Sequence, residues 1–556
     1  MAERRHTVLI VGASAAGLRC ACRLARLRPD WRVRVLEAQN TFSYAACGLP
    51  YVLSGDIVDA QALRRTVYGV TRDAAYFAGH KRVEVLAGHR VLSIDAERGA
   101  ARVEGAEGEN DLRWDEIVLA TGARPRRLQG QPDHPRVVSF HTWDDVEPLR
   151  RGLAEGKIDR VALVGAGLVG CELAEAFRSL WGAEVVLLEA TGAPLAQVLD
   201  PEVGACVARH LRDSGVELHF DSPPQRIEVV DDRVLLAARG GTVEADVAVV
   251  AVGVKPAVEL ARGAGAELGA GGAIAVDERL ATSVPHMWAV GDCAEVHHAV
   301  LGEPVYLPLG SLANRQGRTL ANILAGRPDR FPPVVGAIAV KVFDCNVAAT
   351  GCTMSKAQER GLEARAVWIT VEDRAHYWPE AKVIHLKLVY ETGSRRVLGV
   401  QAVGDGDAVK RVDVATQRIA SGATLDDLAD VEHAYAPPYA PAMEPLAVAA
   451  QVAQNQEDGI DAAAPDGALD GMRILDVRLP EESAARPAFA DRAMQVGMGE
   501  LSSRLEEIDR STEFVVCERG TRSAEAIRLL RQRGIHARYL GGGLRWRALA
   551  KEGKTS

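Results

Sequence analysis

Two glycine-rich turns, each lying between an apolar strand and a helix, predict an α/β chain built on two Rossmann-like nucleotide-binding units. Past residue 470 short strands and helices resume, which adds a smaller α/β unit at the C-terminal end. At 556 residues the chain has room for three or four domains of ordinary size.

The first strand, His6-Thr-Val-Leu-Ile-Val11, is continuously apolar, as the middle of a parallel sheet requires. It runs into Gly12-Ala13-Ser14-Ala15-Ala16-Gly17, a helix-like stretch from Leu18 to Leu27, and a strand Val33–Leu36 that ends in Glu37. Gly12 makes the tight turn. The small side chains of Ser14, Ala15 and Ala16, with Gly17, let a pyrophosphate approach the helix start, and Glu37 can hold a ribose. Ser14 stands at the position of the middle glycine.

The next stretch, Ser43-Tyr-Ala-Ala-Cys47-Gly-Leu-Pro50-Tyr51, lies between the two fingerprints. Pro50 suits the first turn of a helix. Cys47 then falls at or just before that helix start, where free N–H groups and the helix dipole favour a thiolate. A buried structural thiol is the alternative reading.

A buried strand, Glu116–Leu119, ends in the glycine turn Ala120-Thr121-Gly122. Arg160–Val164 then leads to Gly165-Ala-Gly167-Leu-Val-Gly170, a complete GxGxxG. A helix follows, and then a strand Glu184–Leu188 ending at Glu189. Glu189 can accept from a ribose 2′-hydroxyl and would repel a 2′-phosphate, and residues 190–193 offer no arginine. NADH is therefore favoured over NADPH.

Two fingerprints call for two dinucleotides, one held as a redox relay and the other exchanged. The stretch from Thr282 to Cys293 reads as a strand terminating in Gly291-Asp292, and this aspartate can meet a ribityl hydroxyl of the held dinucleotide.

A net charge of −9 spread over this length argues against a nucleic-acid partner. No apolar run reaches the length of a membrane span, and Met1-Ala-Glu-Arg-Arg5 leads into a strand rather than a signal peptide. The nine cysteines are scattered without metal-type CxxC pairs. They read as thiols of a reducing, cytoplasmic interior, with no metal site.

From residue 7 to about 450 the chain resembles the flavin-dependent pyridine nucleotide–disulfide oxidoreductases. It is similar above all to their single-cysteine branch: coenzyme A-disulfide reductases, NADH persulfide reductases, and NADH oxidases and peroxidases. The resemblance is carried by Gly12–Gly17, the Cys47 loop, Ala120-Thr121-Gly122, Gly165–Gly170, Gly291-Asp292, Leu309–Arg318 with Asn314, and Val340–Asp344. It implies an FAD-binding domain over 1–145 and 256–330, an NAD-binding domain over 146–255, and an α+β dimerisation domain over 331–451 of a homodimer. Family members with a cysteine pair carry the second Cys five residues on. Here Val52 stands there, so the sulfur partner of Cys47 comes from outside or from a further domain.

Glu172 resembles the family's nicotinamide-side glutamate. Tyr377 matches the coenzyme A-disulfide reductase stretch that has two tyrosines before a proline, with Trp378 in place of the second. Tyr435 and Tyr439 lie in a proline-rich loop that in the family reaches the other subunit's active site, where a tyrosine can hydrogen-bond or protonate the leaving thiol; Tyr439 is favoured. Ala46 replaces the family's asparagine before the cysteine. Coenzyme A is a candidate bound ligand, with Arg19 and Arg23, one turn apart, as candidate phosphate contacts and Ser43 as a further substrate contact.

Residues 452–470 are small, polar and acidic, and read as a linker. Beyond it, residues 471–556 resemble a single rhodanese domain. Met472–Arg478 carries the Leu-Asp-Val-Arg strand, and Glu513–Val516 leads to Cys517-Glu-Arg-Gly-Thr-Arg-Ser523 and a helix from Ala524, with Gly541-Gly-Gly-Leu-Arg-Trp546 at the end. Such a loop cradles an anionic sulfur species, with Arg519 and Arg522 as contacts. The family's His-x-Pro-Gly-Ala stretch is replaced by Ala490–Met494.

The expected function is FAD-dependent NAD(P)H reduction of coenzyme A persulfide or disulfide, polysulfide or related small persulfides through Cys47, with Cys517 carrying sulfane sulfur. The alternatives are an NADH oxidase or peroxidase using a Cys47 sulfenic acid, a rhodanese-type sulfurtransferase with a minor redox role, and a redox sensor with little turnover.

Overall fold

The computed structural model describes residues 5–489 and 492–552. The leading residues 1–4 and the start of the Ala490–Met494 replacement lie outside them.

The first sheet is all parallel. Its strands are β1 (Thr7–Val11), β2 (Arg32–Glu37), β3 (Glu84–Ala87) and β4 (Glu116–Leu119), with α1 (Ala15–Leu27) crossing from β1 to β2 and α2 (Leu49–Leu53) following the Cys47 loop. The second sheet is also parallel: β5 (Val137–Val138), β6 (Arg160–Val164), β7 (Glu184–Leu188), β8 (Val216–His219) and β9 (Val247–Val250). Helix α3 (Leu168–Ser179) follows β6, and α4 (Pro201–Asp213) precedes β8. The chain then returns to the first sheet through β10 (Met287–Ala289) and enters the long helix α5 (Gly310–Leu324). The orders are β10-β4-β1-β2-β3 and β8-β7-β6-β9-β5. Both central strands are buried on both faces. In β1, Val8 and Ile10 face one apolar cluster, with α1 and α5, while Leu9 and Val11 face another.

A third sheet, antiparallel, is formed by β11 (Ile338–Val342), β12 (Cys345–Gly351), β13 (Ala364–Glu372), β14 (Val383–Glu391) and β15 (Val397–Gly404), in the order β11-β12-β15-β14-β13. Helices α6 (Ala408–Ala420) and α7 (Pro445–Glu457) pack on it.

The fourth sheet is parallel and small: β16 (Ala462–Ala463), β17 (Ile474–Asp476), β18 (Ala493–Gln495), β19 (Phe514–Val516) and β20 (Arg538–Leu540), in the order β16-β20-β19-β17-β18. Helix α8 (Thr521–Arg531) follows β19, and α9 (Gly543–Glu552) follows β20.

The expected linker over 452–470 is corrected here. Its first residues complete α7, with Ala453 and Gln456 buried, and Ala462-Ala463 form an edge strand of the fourth sheet. Gln456 joins the two units: its Nε2 donates to the Ala366 carbonyl at 3.3 Å, and its Oε1 accepts from Ala462 N at 3.2 Å. Small residues made the segment look unstructured, yet their size is what lets α7 lie close to β13. Among the described residues, no helix is long and apolar enough to cross a membrane, and no cluster of His, Cys, Asp and Glu could hold a metal ion.

Candidate functional site

The two fingerprints adopt the same construction. Gly12 and Gly165 turn with φ of 113° and 102°. A Cβ at Gly17 would run into the Gly12 carbonyl, and one at Gly170 into the Gly165 carbonyl, so only glycine lets each helix start this close to its strand. At Gly167, by contrast, a Cβ would meet nothing within 4 Å, which leaves open space beside the start of α3. Glu37 and Glu189 fold back alike. Glu37 accepts from Ala13 N at 2.8 Å and Gln39 N at 2.9 Å; Glu189 accepts from Ala166 N at 2.6 Å and Thr191 N at 2.8 Å. Each carboxylate, once fixed by these bonds, keeps acceptor capacity for a ribose.

The wall opposite the first fingerprint fits a flavin dinucleotide. Gly291 turns with φ of 78° and donates from its N–H to Gln316 Oε1 at 2.7 Å, while the buried Gln316 Nε2 and Tyr306 hydroxyl have no partner within the protein. Burial pushes the Asp292 carboxyl up to about 6. These polar groups suit the hydroxyls and ring heteroatoms of such a ligand. Thr121 Oγ1 donates to the Ala257 carbonyl at 2.6 Å, and Gly122 follows with φ of 68°. Ser14 is the N-cap of α1, which starts at Ala15 rather than at Leu18, so Ala15 and Ala16 lie in its first turn.

Cys47 lies in a short 3-10 turn, Ala46–Gly48, immediately before α2, and the residue as a whole is exposed. A Cβ built on Gly310 would sit 3.9 Å from Cys47 Sγ, so the sulfur also faces the first residue of α5. The expected lowering of the thiol by a helix start is corrected: burial, then the carboxylates of Glu172 and Asp292, push Cys47 above its ordinary value. Helix α2, with five residues, offers only a short dipole against burial and two acids. Glu172 itself is pushed up to about 7, chiefly by burial, and the Tyr51 hydroxyl lies 3.5 Å from its Oε1. Tyr51, one turn past Cys47, had not stood out as a site residue in the sequence.

Upstream of Cys47 the chain walls a cavity of about 760 Å³. Ser43, in the left-handed region at φ 56°, Tyr44 and Ala45 form one side, with Ser14 and Asn314 beside them. Tyr44 is held by Trp143, whose backbone N–H donates to its hydroxyl at 3.2 Å. The lining also carries Arg19, Arg26, Arg72, His80, Lys81 and Arg82. Arg23 is not among the lining residues: its Nε donates to Asn322 Oδ1 at 3.0 Å, so α1 presents Arg19 and Arg26 to the cavity instead. The run His80-Lys81-Arg82 was the sequence signal that went unread.

Tyr377, Tyr435 and Tyr439 lie on the surface of the third unit. They are 63%, 50% and 72% exposed.

In the fourth sheet, Cys517 follows β19 and is buried, with Gly520 N donating to its Sγ at 3.1 Å. Helix α8 starts at Thr521, so Arg522 and Ser523 belong to its first turn rather than to the loop. The two arginines do not stand free as anion contacts. Arg519 pairs with Glu372 at 2.5 Å, and Arg522 pairs with Glu482 through two bonds of 2.6 and 2.7 Å.

The sequence profile of the pyridine nucleotide-disulphide oxidoreductases matches residues 6–317, and that of their dimerisation domain matches residues 338–447. The NAD(P)H sulfur oxidoreductase (CoA-dependent) of Pyrococcus abyssi is 34% identical over 450 residues, which is 81% of this chain and 98% of that protein. Two solved structures extend over the C-terminal unit as well. The NAD-dependent persulfide reductase from A. fulgidus is 37% identical, covers 97% of this chain and 99% of its own, and superposes with a TM-score of 0.93. Reduced CoADR-RHD from Bacillus anthracis is 28% identical, covers 98% of both chains, and has a TM-score of 0.91.

Proposed function

The chain belongs to the pyridine nucleotide-disulphide oxidoreductase family, and on that premise we propose that it is an FAD-dependent NADH oxidoreductase that reduces coenzyme A persulfide or disulfide, or polysulfide, at Cys47. The observation that carries this reading is that the exposed Cys47 faces the first residue of α5 and lies two residues past Ala45, which lines a cavity with six basic residues.

FAD, held by Gly12–Gly17, Glu37, Thr121, Gly122, Gly291, Asp292 and Asn314, supplies the two-electron relay between NADH and sulfur. NADH takes the second cradle, Gly165–Gly170, with Glu189 on its ribose and Glu172 at the nicotinamide side. No arginine in residues 190–193 is available for a 2′-phosphate. The cavity cations Arg19, Arg26, Lys81 and Arg82 hold the phosphates of coenzyme A by charge-assisted bonds, and Ser43 lines the same cavity. Cys47 thiolate attacks one sulfur of coenzyme A disulfide. That S–S bond breaks, a Cys47–coenzyme A mixed disulfide forms, and the departing thiolate takes a proton. Two electrons from NADH then cleave the mixed disulfide, for a net NADH + H⁺ + CoA–S–S–CoA → NAD⁺ + 2 CoA–SH.

In this reading the enzyme is a homodimer through residues 331–451, and Tyr439, Tyr435 or Tyr377 of one subunit serves Cys47 of the other. Residues 471–556 form a rhodanese-like unit whose Cys517 carries sulfane sulfur and hands it to coenzyme A as a persulfide. We place the enzyme in the cytoplasm, where its nine free thiols stay reduced.

The test is steady-state NADH oxidation by wild type, Cys47→Ser and Cys517→Ser. Coenzyme A disulfide, coenzyme A persulfide, polysulfide and oxygen serve as acceptors. Cys47→Ser abolishes turnover on every sulfur acceptor, and Cys517→Ser spares coenzyme A disulfide. Oxygen turnover equal to that with sulfur acceptors overturns the reading in favour of an oxidase.

A further inference from the structure

One face of a single strand supplies several of the contacts that fix the fourth unit to the third. In β13, residues 368, 370 and 372 point the same way, because side chains alternate along a strand. All three engage the C-terminal unit. A Cβ on Gly541 would lie 3.1 Å from the Trp368 ring, so the glycine packs flat against the indole. Thr370 Oγ1 donates to the Gly542 carbonyl at 2.7 Å and contacts His385 Nδ1 at 3.0 Å. Glu372 pairs with Arg519 at 2.5 Å.

These contacts converge on the Cys517 loop from two sides. Gly543 lies so close to the Glu518–Arg519 backbone that a Cβ there would clash. The start of α9 donates to the loop, Leu544 N to the Cys517 carbonyl at 2.9 Å and Arg545 N to the Glu518 carbonyl at 3.0 Å. Thr370 therefore holds the segment that caps the loop, while Glu372 holds the loop's own arginine. The neighbouring charges are satisfied within the C-terminal unit: Arg522, in the first turn of α8, by Glu482, and Glu518 of the loop by Arg478 at 2.9 Å and Arg486 at 2.6 Å. Arg519 is the loop side chain whose carboxylate partner comes from the third unit.

We infer that Glu372 is a positioning residue for the sulfur site at Cys517: through Arg519 it fixes the loop, so the reductase body completes a site that the C-terminal unit does not hold alone. This rests on the proposed sulfur-carrying role of Cys517. The step it serves is attack of Cys517 thiolate on a sulfane sulfur. With thiosulfate as probe, the S–S bond breaks, Cys517 persulfide forms and sulfite leaves; cyanide then takes the outer sulfur as thiocyanate and restores the thiolate.

The experiment uses the full chain in a Cys47→Ser background, so that Cys47 does not react. Glu372→Ala, Arg519→Ala, the double variant and the charge swap Glu372→Arg/Arg519→Glu are compared for thiocyanate formation and for Cys517 alkylation by iodoacetamide. Glu372→Ala and Arg519→Ala each lower kcat about tenfold with KM changed less, the double variant falls no further, and the swap recovers most of the rate. Alkylation of the buried Cys517 rises at least about fivefold in Glu372→Ala and returns toward wild type in the swap. Alkylation rates equal to wild type in Glu372→Ala, or a swap that restores neither readout, overturn the inference. Absence of thiocyanate from the Cys47→Ser parent overturns the sulfur-carrying role instead, and the alkylation series then still decides the position of Glu372.

Discussion

The indole of Trp546 donates from Nε1 to the backbone carbonyl of Glu202 at 3.3 Å, joining residues 344 positions apart. Glu202 Oε1 in turn accepts from Lys387 at 2.6 Å and from Trp368 Nε1 at 2.9 Å, and Lys387 also reaches Asp200 at 2.8 Å. Second, third and fourth units thus meet at one buried node. Trp546 is fully buried in the apolar cluster that also contains Leu173 and Phe177 of α3.

Trp546→Ala should therefore destabilise the reductase body and not the C-terminal unit alone. Loss of a buried tryptophan costs about 3–5 kcal/mol. The expected result is a lower thermal midpoint for release of the bound flavin, followed by its fluorescence. An unchanged midpoint would mean that the contact carries no load.

Breaking the node from the other side should be as severe. Lys387→Met leaves Asp200 and Glu202 buried without their cation, a loss of about 3–5 kcal/mol for a broken buried pair. Urea unfolding of the second and third units should move together in this variant.

The Glu172 carboxyl, held up to about 7 by burial, gives a pH dependence with a defined sign. An unfolded glutamate titrates near ~4.3. Between those values the folded chain binds the proton more tightly, so this group's contribution to stability is full below ~4.3 and is lost as pH rises through about 7. Relative to Glu172→Gln, wild type should lose stability from pH 5 to 8, as read by thermal midpoints of the two proteins side by side. The same anion raises the Cys47 thiol. Glu172→Gln should accordingly speed Cys47 alkylation at pH 7 by roughly two- to tenfold.

The basic cavity predicts a difference between acceptors. Arg19→Ala and Lys81→Ala should each raise KM for coenzyme A disulfide about tenfold, the value of one charge-assisted phosphate contact. Polysulfide, which lacks these phosphates, should be reduced with nearly unchanged KM. An equal effect on both acceptors would remove the phosphates from the cavity.

The fingerprints were legible because their constraint is local. Gly12, Gly17, Gly165 and Gly170 each avoid a clash with a carbonyl a few residues away or on the neighbouring strand, and no other residue satisfies it. Charge pairing was not legible. Arg519 and Arg522 read as free cations beside Cys517, since their acids, Glu372 and Glu482, come from other parts of the chain. Helix phase explains Arg23. It sits one turn from Arg19, as expected, but Asn322 of α5 takes it, and Arg26, a further turn on, reaches the cavity. The segment after 452 was misread because burial of Ala453 and Gln456 leaves no apolar periodicity behind.

The central claim is that sulfur substrates are bonded to Cys47 during turnover. Protein reduced with one equivalent of NADH, mixed with coenzyme A disulfide, quenched in acid and digested should yield a coenzyme A mixed disulfide on the peptide carrying Cys47, absent from Cys47→Ser. NADH consumed and coenzyme A released while Cys47 stays unmodified at every quench time, or an undiminished rate in Cys47→Ser, would contradict it.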